Sequence, residues 1–102
     1  MLDIKSWLEQ CGEDVADTVF VDAHSYPFVV FIDYQDHGGS DLHNDLTRHD
    51  LTVERYSEDG EENQKLKALI VDKAVHYEYS KQWLSDVQCF EEIYEFELIE
   101  RT

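Results

Sequence analysis

The sequence has few of the residues that mark disulfide-stabilised, membrane-spanning or low-complexity chains. It contains two cysteines, one proline and four glycines in 102 residues. Its longest unbroken apolar run covers residues 28–32, far short of the roughly 18–20 residues that a transmembrane helix needs. No cationic region followed by an apolar stretch opens the chain, so we expect no signal peptide. The apolar content of 42% suffices for a core, and we predict a single domain over residues 1–102.

Basic residues are also scarce, which restricts the partners of the chain. Eight Lys and Arg stand against 24 Asp and Glu, giving a formal net charge of −16. Such a surface repels phosphate backbones and anionic lipid headgroups. We therefore predict no membrane binding and no specific binding of nucleic acid; DNA would pass over this surface without adhering. Cys11 and Cys89 are far apart in the sequence and are predicted to be buried, reduced thiols, as in cytosolic proteins.

The hydrophobic pattern predicts two helices. The first covers residues 3–11, with Asp3 as its N-cap and Gly12 after its last turn. The second begins after a cap at Asp59 or Ser57 and runs to about Lys73. Its first turn would contain Glu61 and Glu62, whose negative charge suits the positive end of a helix.

Four strands are predicted, and their order defines the fold class. They are expected at residues 28–34, 49–57, 75–80 and 90–100. Residues 36–46 are predicted to be a polar loop or hairpin tip, and residues 82–86, with Trp83, a connection. Residues 12–25 show no clean period. The prediction is an α+β fold in α-β-β-α-β-β order, with two helices on one face of an antiparallel sheet.

The last strand gives the clearest alternation, and its side chains can be assigned to faces. Tyr94, Phe96 and Leu98 should face the core. Tyr77, Tyr79 and Tyr94 should form cross-strand pairs. The carboxylates of this strand are predicted to lie on a solvated face; they are Glu91, Glu92, Glu95 and Glu97.

Imidazoles and carboxylates cluster around the polar loop, but their spacing does not predict a metal centre. His37, His43 and His49 are six residues apart, which puts no pair on one helical face. The acidic neighbours are Asp36, Asp41, Asp45 and Asp50. Gly38 and Gly39 precede no phosphate-binding motif, and no serine or cysteine lies in a nucleophile motif. We predict no metal site, no cofactor and no enzymatic activity.

Several segments together resemble small proteins of tailed bacteriophages and prophages, described as tail completion or tail terminator-like. The segments are HDLTVERYSE (residues 49–58), VHYEYSKQW (75–83), IYEFELIE (93–100) and the loop GGSDLHN (38–44). The resemblance implies a virion structural protein that forms a ring, typically hexameric, at the head-proximal end of the tail tube. Its implied partners are further copies of itself, the major tail tube protein and the head connector. Its implied location is the virion tail, assembled in the cytoplasm of the bacterial host.

The polar loop is the candidate interface or bore-facing segment, because a long polar loop has no role in the core of so small a domain. Its candidate residues are Asp36, His37, Gly38, Gly39, Ser40, Asp41, His43, Asn44 and Asp45. Three alternatives stay open. They are a small acidic interaction protein that mimics DNA or inhibits another protein, a head-completion protein of the connector, and a metal-dependent or hydrolytic enzyme that uses the histidine loop.

Overall fold

The computed structural model describes residues 2–20, 25–40 and 43–101, with the side chains of 36–40, 43–46 and 101 left aside. These residues form two helices and five strands. In chain order the elements are α1 (Ile4–Glu9), β1 (Asp14–Asp17), β2 (Phe28–Ser40), β3 (His43–Ser57), α2 (Gln64–Lys73), β4 (Tyr77–Leu84) and β5 (Cys89–Arg101).

The five strands form one mixed sheet in the order β1-β2-β3-β5-β4. β1 runs parallel to β2, and the other three pairings are antiparallel. The structure therefore agrees with the α+β class, but the prediction of an all-antiparallel, four-stranded sheet was wrong. β1 has four residues with one buried side chain, Val15, so its sequence is too short to show a period. Its pairing with the start of β2 makes it a strand.

The core lies between the helices and one face of the sheet. Ile4, Trp7 and Leu8 of α1 and Leu66 and Ile70 of α2 belong to the same buried cluster as the inward residues of the sheet. Those residues include Val15, Val29, Phe31, Leu51, Val53, Tyr94, Phe96 and Leu98. The predicted inward set of β5 is thus confirmed. Both cysteines are buried and free, as expected.

The first helix begins at its predicted cap, Asp3, but ends at Glu9 with Gln10 as C-cap, two residues before the predicted end at Cys11. The predicted cap of the second helix was wrong. The Asp3 side chain accepts a hydrogen bond from the Ser6 N–H at 3.2 Å, and Gly12 adopts a φ of +89°. The N-cap of α2 is Asn63, whose side chain accepts from the Leu66 N–H at 3.0 Å. Asp59 and Ser57 instead accept bonds within the preceding turn. Glu61 and Glu62 therefore precede the helix.

The strands are longer than the sequence pattern predicts. β4 continues through Trp83 to Leu84, so the predicted connection at residues 82–86 was wrong at its start. The Trp83 ring meets the Phe90 ring edge-on across the hairpin, with centroids 4.9 Å apart. This cross-strand contact extends the ladder where the sequence loses its alternation. Among the described residues, no helix is long and apolar enough to cross a membrane.

The tyrosines of β4 and β5 form the predicted cross-strand contacts. Tyr79 lies opposite Tyr94 with ring centroids 4.9 Å apart, and Tyr77 contacts Tyr94 at 6.1 Å. The Tyr94 hydroxyl is buried and, alone among buried side-chain polar atoms of the described residues, has no hydrogen-bond partner. An unsatisfied buried polar group lowers stability.

We expect Tyr94→Phe to raise the free energy of unfolding by about 1 kcal/mol, because it removes a buried hydroxyl that bonds to nothing. Urea unfolding followed by circular dichroism measures this. The matched control is Tyr79→Phe, which removes the 2.9 Å bond from the Tyr79 hydroxyl to the Glu92 carboxylate and should be destabilising. A Tyr94→Phe protein no more stable than the unsubstituted protein contradicts this prediction.

Candidate functional site

The sheet carries an extension that its edge strands do not cover. β1 pairs with residues 28–31 of β2, and β4 pairs with residues 89–96 of β5. Beyond these pairs, residues 32–40 of β2, 43–52 of β3 and 97–101 of β5 form a three-stranded extension, here called the arm. The molecule measures 50 × 28 × 23 Å, and its radius of gyration is 14.8 Å, against about 13 Å for a compact 100-residue domain.

Four strand edges have no paired strand in the part of the chain that the structure describes. They are the outer side of β1, residues 32–40 of β2, residues 97–101 of β5 on the side where β4 has ended, and the outer side of β4. The direction of the open backbone groups follows from one bond: the Thr18 N–H donates to the Phe31 carbonyl at 2.7 Å. Because backbone groups alternate along a strand, those of Asp33 and Gln35 point to the same open side. Exposed edges of this kind pair readily with another strand.

The candidate loop is mostly part of the arm, so its prediction as a loop was wrong. Residues 36–40 and 43–46 are strand, paired from Asp36–Arg48 to Ser40–His43, with an irregularity between Gly38 and Ser40. Pairing across the hairpin extends the strands through a segment that has no apolar alternation. Asp41 lies outside the described residues. For Asp36, His37, His43, Asn44 and Asp45, the structure describes the backbone alone.

His49 is fully buried at the root of the arm, between two carboxylates. Its Nδ1 lies 3.0 and 2.9 Å from the two oxygens of Asp33, and its Nε2 lies 3.0 Å from Glu100 Oε2. Glu100 also accepts from the backbone N–H of Leu2. Asp33, His49 and Glu100 belong to β2, β3 and β5 respectively. The cluster therefore links all three strands of the arm.

Both ring nitrogens of His49 face carboxylates, so both act as donors when the ring is protonated. Burial opposes protonation, but the hydrogen bonds and charges of Glu100 and Asp33 outweigh it and raise the pKa of His49 above 6.5. Burial alone would raise the pKa of Glu100, yet the bonds from His49 and Leu2 hold it below 4.5. When protonated, the ring offsets the charges of these two partly buried carboxylates.

Among the described side chains, Asp50 is the one other imidazole or carboxylate neighbour considered for this segment, and it does not join His49. Asp50 follows it in the chain, but successive side chains of a strand point to opposite faces, and Asp50 is exposed. No group of three or more His, Cys, Asp or Glu side chains among the described residues has a metal-holding arrangement. The side chains of His37 and His43 are outside the described set.

A second buried ionic cluster, centred on Arg55, joins the body of the fold. The Arg55 guanidinium binds both Glu13 oxygens at 2.9 Å and Glu92 Oε1 at 2.8 Å. It also donates to the Glu61 carbonyl at 2.6 Å. Tyr79 donates to the other oxygen of Glu92. Burial, with the hydrogen bond to Glu92, raises the pKa of Tyr79 above its ordinary value.

Glu91 and Glu92 do not lie on a solvated face, which corrects the prediction for these two residues. Glu92 is fully buried, and Glu91 is nearly so. Glu91 accepts from the Tyr56 hydroxyl at 2.8 Å and from Gln82. The sequence held a signal for Glu92, because extending the inward alternation of Tyr94 and Phe96 backwards places it in the core. Glu95 and Glu97 are exposed, as predicted.

The sheet face away from the helices combines exposed apolar groups with carboxylates. Tyr34 and Ile99 are 68% and 63% exposed, and Ile32 is 46% exposed. Asp50 lies directly opposite Glu97 across β3 and β5, and Glu78 lies opposite Glu95 across β4 and β5. Like charges in directly opposite positions destabilise a sheet.

Comparison with known proteins gave no relative from which a role could be transferred. No family model matches the chain, and no curated protein was found to match it. The candidate site is therefore defined by its own geometry: an arm with open strand edges, fixed at its root by a buried ionic cluster.

Proposed function

We propose that this protein is a structural assembly protein that docks to other chains through the open edges of its sheet. The observation that supports this most directly is that both ends of the sheet are available. The outer side of β4 is one end of the sheet, and toward the other end residues 32–40 of β2 extend beyond the end strand β1. A contact between the β2 edge of one copy and the β4 edge of the next is heterologous, and repeated contacts of this type close a ring when the rotation between neighbouring copies is a whole fraction of a turn.

The specific role proposed is tail completion in a tailed bacteriophage or prophage. The sequence resemblance supports this role, and so does the element order, which contains α-β-β-α-β-β once β1 is set aside. In this role a ring caps the tail tube and meets the head connector. A net charge of −16 per copy would keep DNA from adhering to the ring as it passes.

Blocking the β2 edge tests the assembly role. We expect Gln35→Pro to abolish ring formation, because proline removes an N–H that points to the open side and leaves the β2–β3 ladder intact. Electron microscopy and sedimentation of the purified protein, alone and with tail-tube subunits, measure assembly. High salt should favour rings, since it screens repulsion between acidic copies.

The matched control is Gln35→Thr, which changes the same exposed side chain but keeps the N–H and should assemble normally. The same assay tests whether the end of the β2–β3 hairpin takes part in assembly. Residues 39–45 are replaced with Asn-Gly, which forms a two-residue hairpin turn between the paired Gly38 and Leu46. That variant should fold but not complete tails. Normal assembly of Gln35→Pro, or a gene located away from head and tail genes, contradicts the proposed function.

A further inference from the structure

A groove runs along the open side of β5, at the point where β4 leaves the sheet. Its volume is about 560 Å³, and Val75, Glu78, Glu95 and Ile99 are among the residues that line it. Val75 is fully exposed. The last β4–β5 pair is Tyr77–Phe96, so the groove continues the line that β4 would have followed.

The backbone of β5 presents pairing groups to this groove. The backbone groups of successive residues in a strand point to opposite sides, and the Phe31 carbonyl points away from β3. Followed through the paired residues of β2, β3 and β5, this alternation places the N–H and C=O groups of Leu98 toward β3. The backbone groups of Glu97 and Ile99 therefore point to the open side. Their side chains lie on the sheet face away from the helices, beside the aliphatic Val75.

The charges around the groove are unbalanced. Among the described residues, no cation lies within salt-bridge distance of Glu78 or Glu95, although these carboxylates are directly opposite each other. Glu97 has one cation, Arg48, at 3.6 Å. Lys73 lines the groove as well. A bound segment that carries positive charge would reduce the repulsion between Glu78 and Glu95.

We propose that this groove binds an extended segment of another protein, in which Lys or Arg and aliphatic residues both occur at every second position and so share one face of the strand, and that the segment adds a strand to β5 beside residues 97–101. The backbone of the segment pairs with Glu97 and Ile99. Its basic side chains meet Glu78 and Glu95, and its aliphatic side chains cover Val75 and Ile99. This inference deepens the proposed function and rests on it, by naming the chemistry of a partner other than a second copy. Two copies of net charge −16 repel each other and do not supply the cations.

The probe is a synthetic peptide of repeated Lys-Thr-Val-Thr, which as a strand places lysine and valine on the same face. It is titrated into the full-length protein by calorimetry at about 0.1 M salt, where the Debye length is about 10 Å. We expect Glu78→Gln with Glu95→Gln to weaken peptide binding at least tenfold. The matched control is Glu9→Gln with Asp86→Asn, which removes two exposed charges outside the groove lining and should leave binding within about twofold, because charge at a distance is largely screened. Equal losses in both double variants would mean diffuse attraction and would overturn the proposal.

Strand addition is tested separately from charge. Ile99→Pro, which removes an N–H on the open side, should abolish peptide binding, while Ile99→Val keeps both the N–H and an aliphatic side chain and should bind. Amide exchange should show new protection in residues 97–101 when peptide is added. Binding by Ile99→Pro, or no new protection, overturns the proposal. Self-association that falls in the Glu78→Gln, Glu95→Gln variant identifies a second copy as the occupant and also overturns it.

Salt separates the failure of this inference from the failure of the proposed function. Peptide binding should weaken as salt rises, whereas ring assembly should strengthen. If rings form but the peptide does not bind, the groove proposal is rejected and the assembly role is retained. If the peptide binds but no rings form, ring assembly is rejected and the groove is retained as a docking site.

Discussion

Replacing Arg55 with methionine should lower the free energy of unfolding by about 3–5 kcal/mol, since removing one partner of a buried ion pair leaves the other charge uncompensated. Arg55 is the cation that contacts both Glu13 and Glu92, and Glu92 is fully buried. The same side chain holds the Glu61 carbonyl ahead of α2. A loss of this size is a large share of the about 5–15 kcal/mol that stabilises a typical domain. Urea unfolding measures it.

Two further variants make this expectation specific. Arg48→Met removes a half-exposed cation whose bridge to Glu97 spans 3.6 Å and should cost less than about 1 kcal/mol. Arg55→Met combined with Glu92→Leu should recover part of the loss, because the buried carboxylate is then gone. If Arg55→Met costs no more than Arg48→Met, the Arg55 cluster does not hold the fold together.

The elements that the sequence predicted are those with a local signal. α1 shows its cap at Asp3, and β5 shows a long alternation around Tyr94 and Phe96. α2 was displaced because several polar residues before it can cap a helix, and Asn63 was selected by a contact distant in sequence: its side chain also donates to the Cys11 carbonyl at 3.1 Å. β1 has no local signal, since a single inward residue, Val15, defines its face.

The candidate site was harder to predict than the fold, because its main feature is a difference in strand length. The segment at residues 36–46 was correctly singled out as a hairpin region, but its polar composition concealed two strands. An open edge exists where a neighbouring strand has stopped, at Asp17 for β1 and at Tyr77 for β4. Neither stopping point can be predicted from the sequence of the strand whose edge is open. The buried roles of His49 and Glu92 likewise depend on partners from other strands.

The stability of the protein should fall as the pH rises above 6.5, and His49 should cause most of that fall. A group whose pKa is raised in the folded state contributes fully below its unfolded value, here 6.5, and loses its contribution as the pH rises through the folded value. Glu100, with its lowered pKa, contributes above 4.5 and loses its contribution as the pH falls. The cluster is therefore most stabilising between these two values.

His49→Gln should lower the free energy of unfolding at pH 6 by about 3–5 kcal/mol and flatten its dependence on pH from 6.5 to 9. The matched control is His76→Gln, which removes an exposed histidine and should keep the slope. Denaturant titrations across this range measure both variants. An unchanged slope in His49→Gln assigns the pH dependence to other groups.

The same titration bears on the arm, because Asp33, His49 and Glu100 join its three strands on one face. Once the ring loses its proton, it no longer offsets the charges of the partly buried Asp33 and Glu100, and separation of the strands relieves their repulsion. We therefore expect amide protection in residues 43–52 to fall at alkaline pH before that of residues 89–96, which β4 covers. In His49→Gln the arm should be poorly protected already at pH 6. Uniform loss of protection over both segments would mean that the arm has no stability of its own and unfolds only with the whole domain.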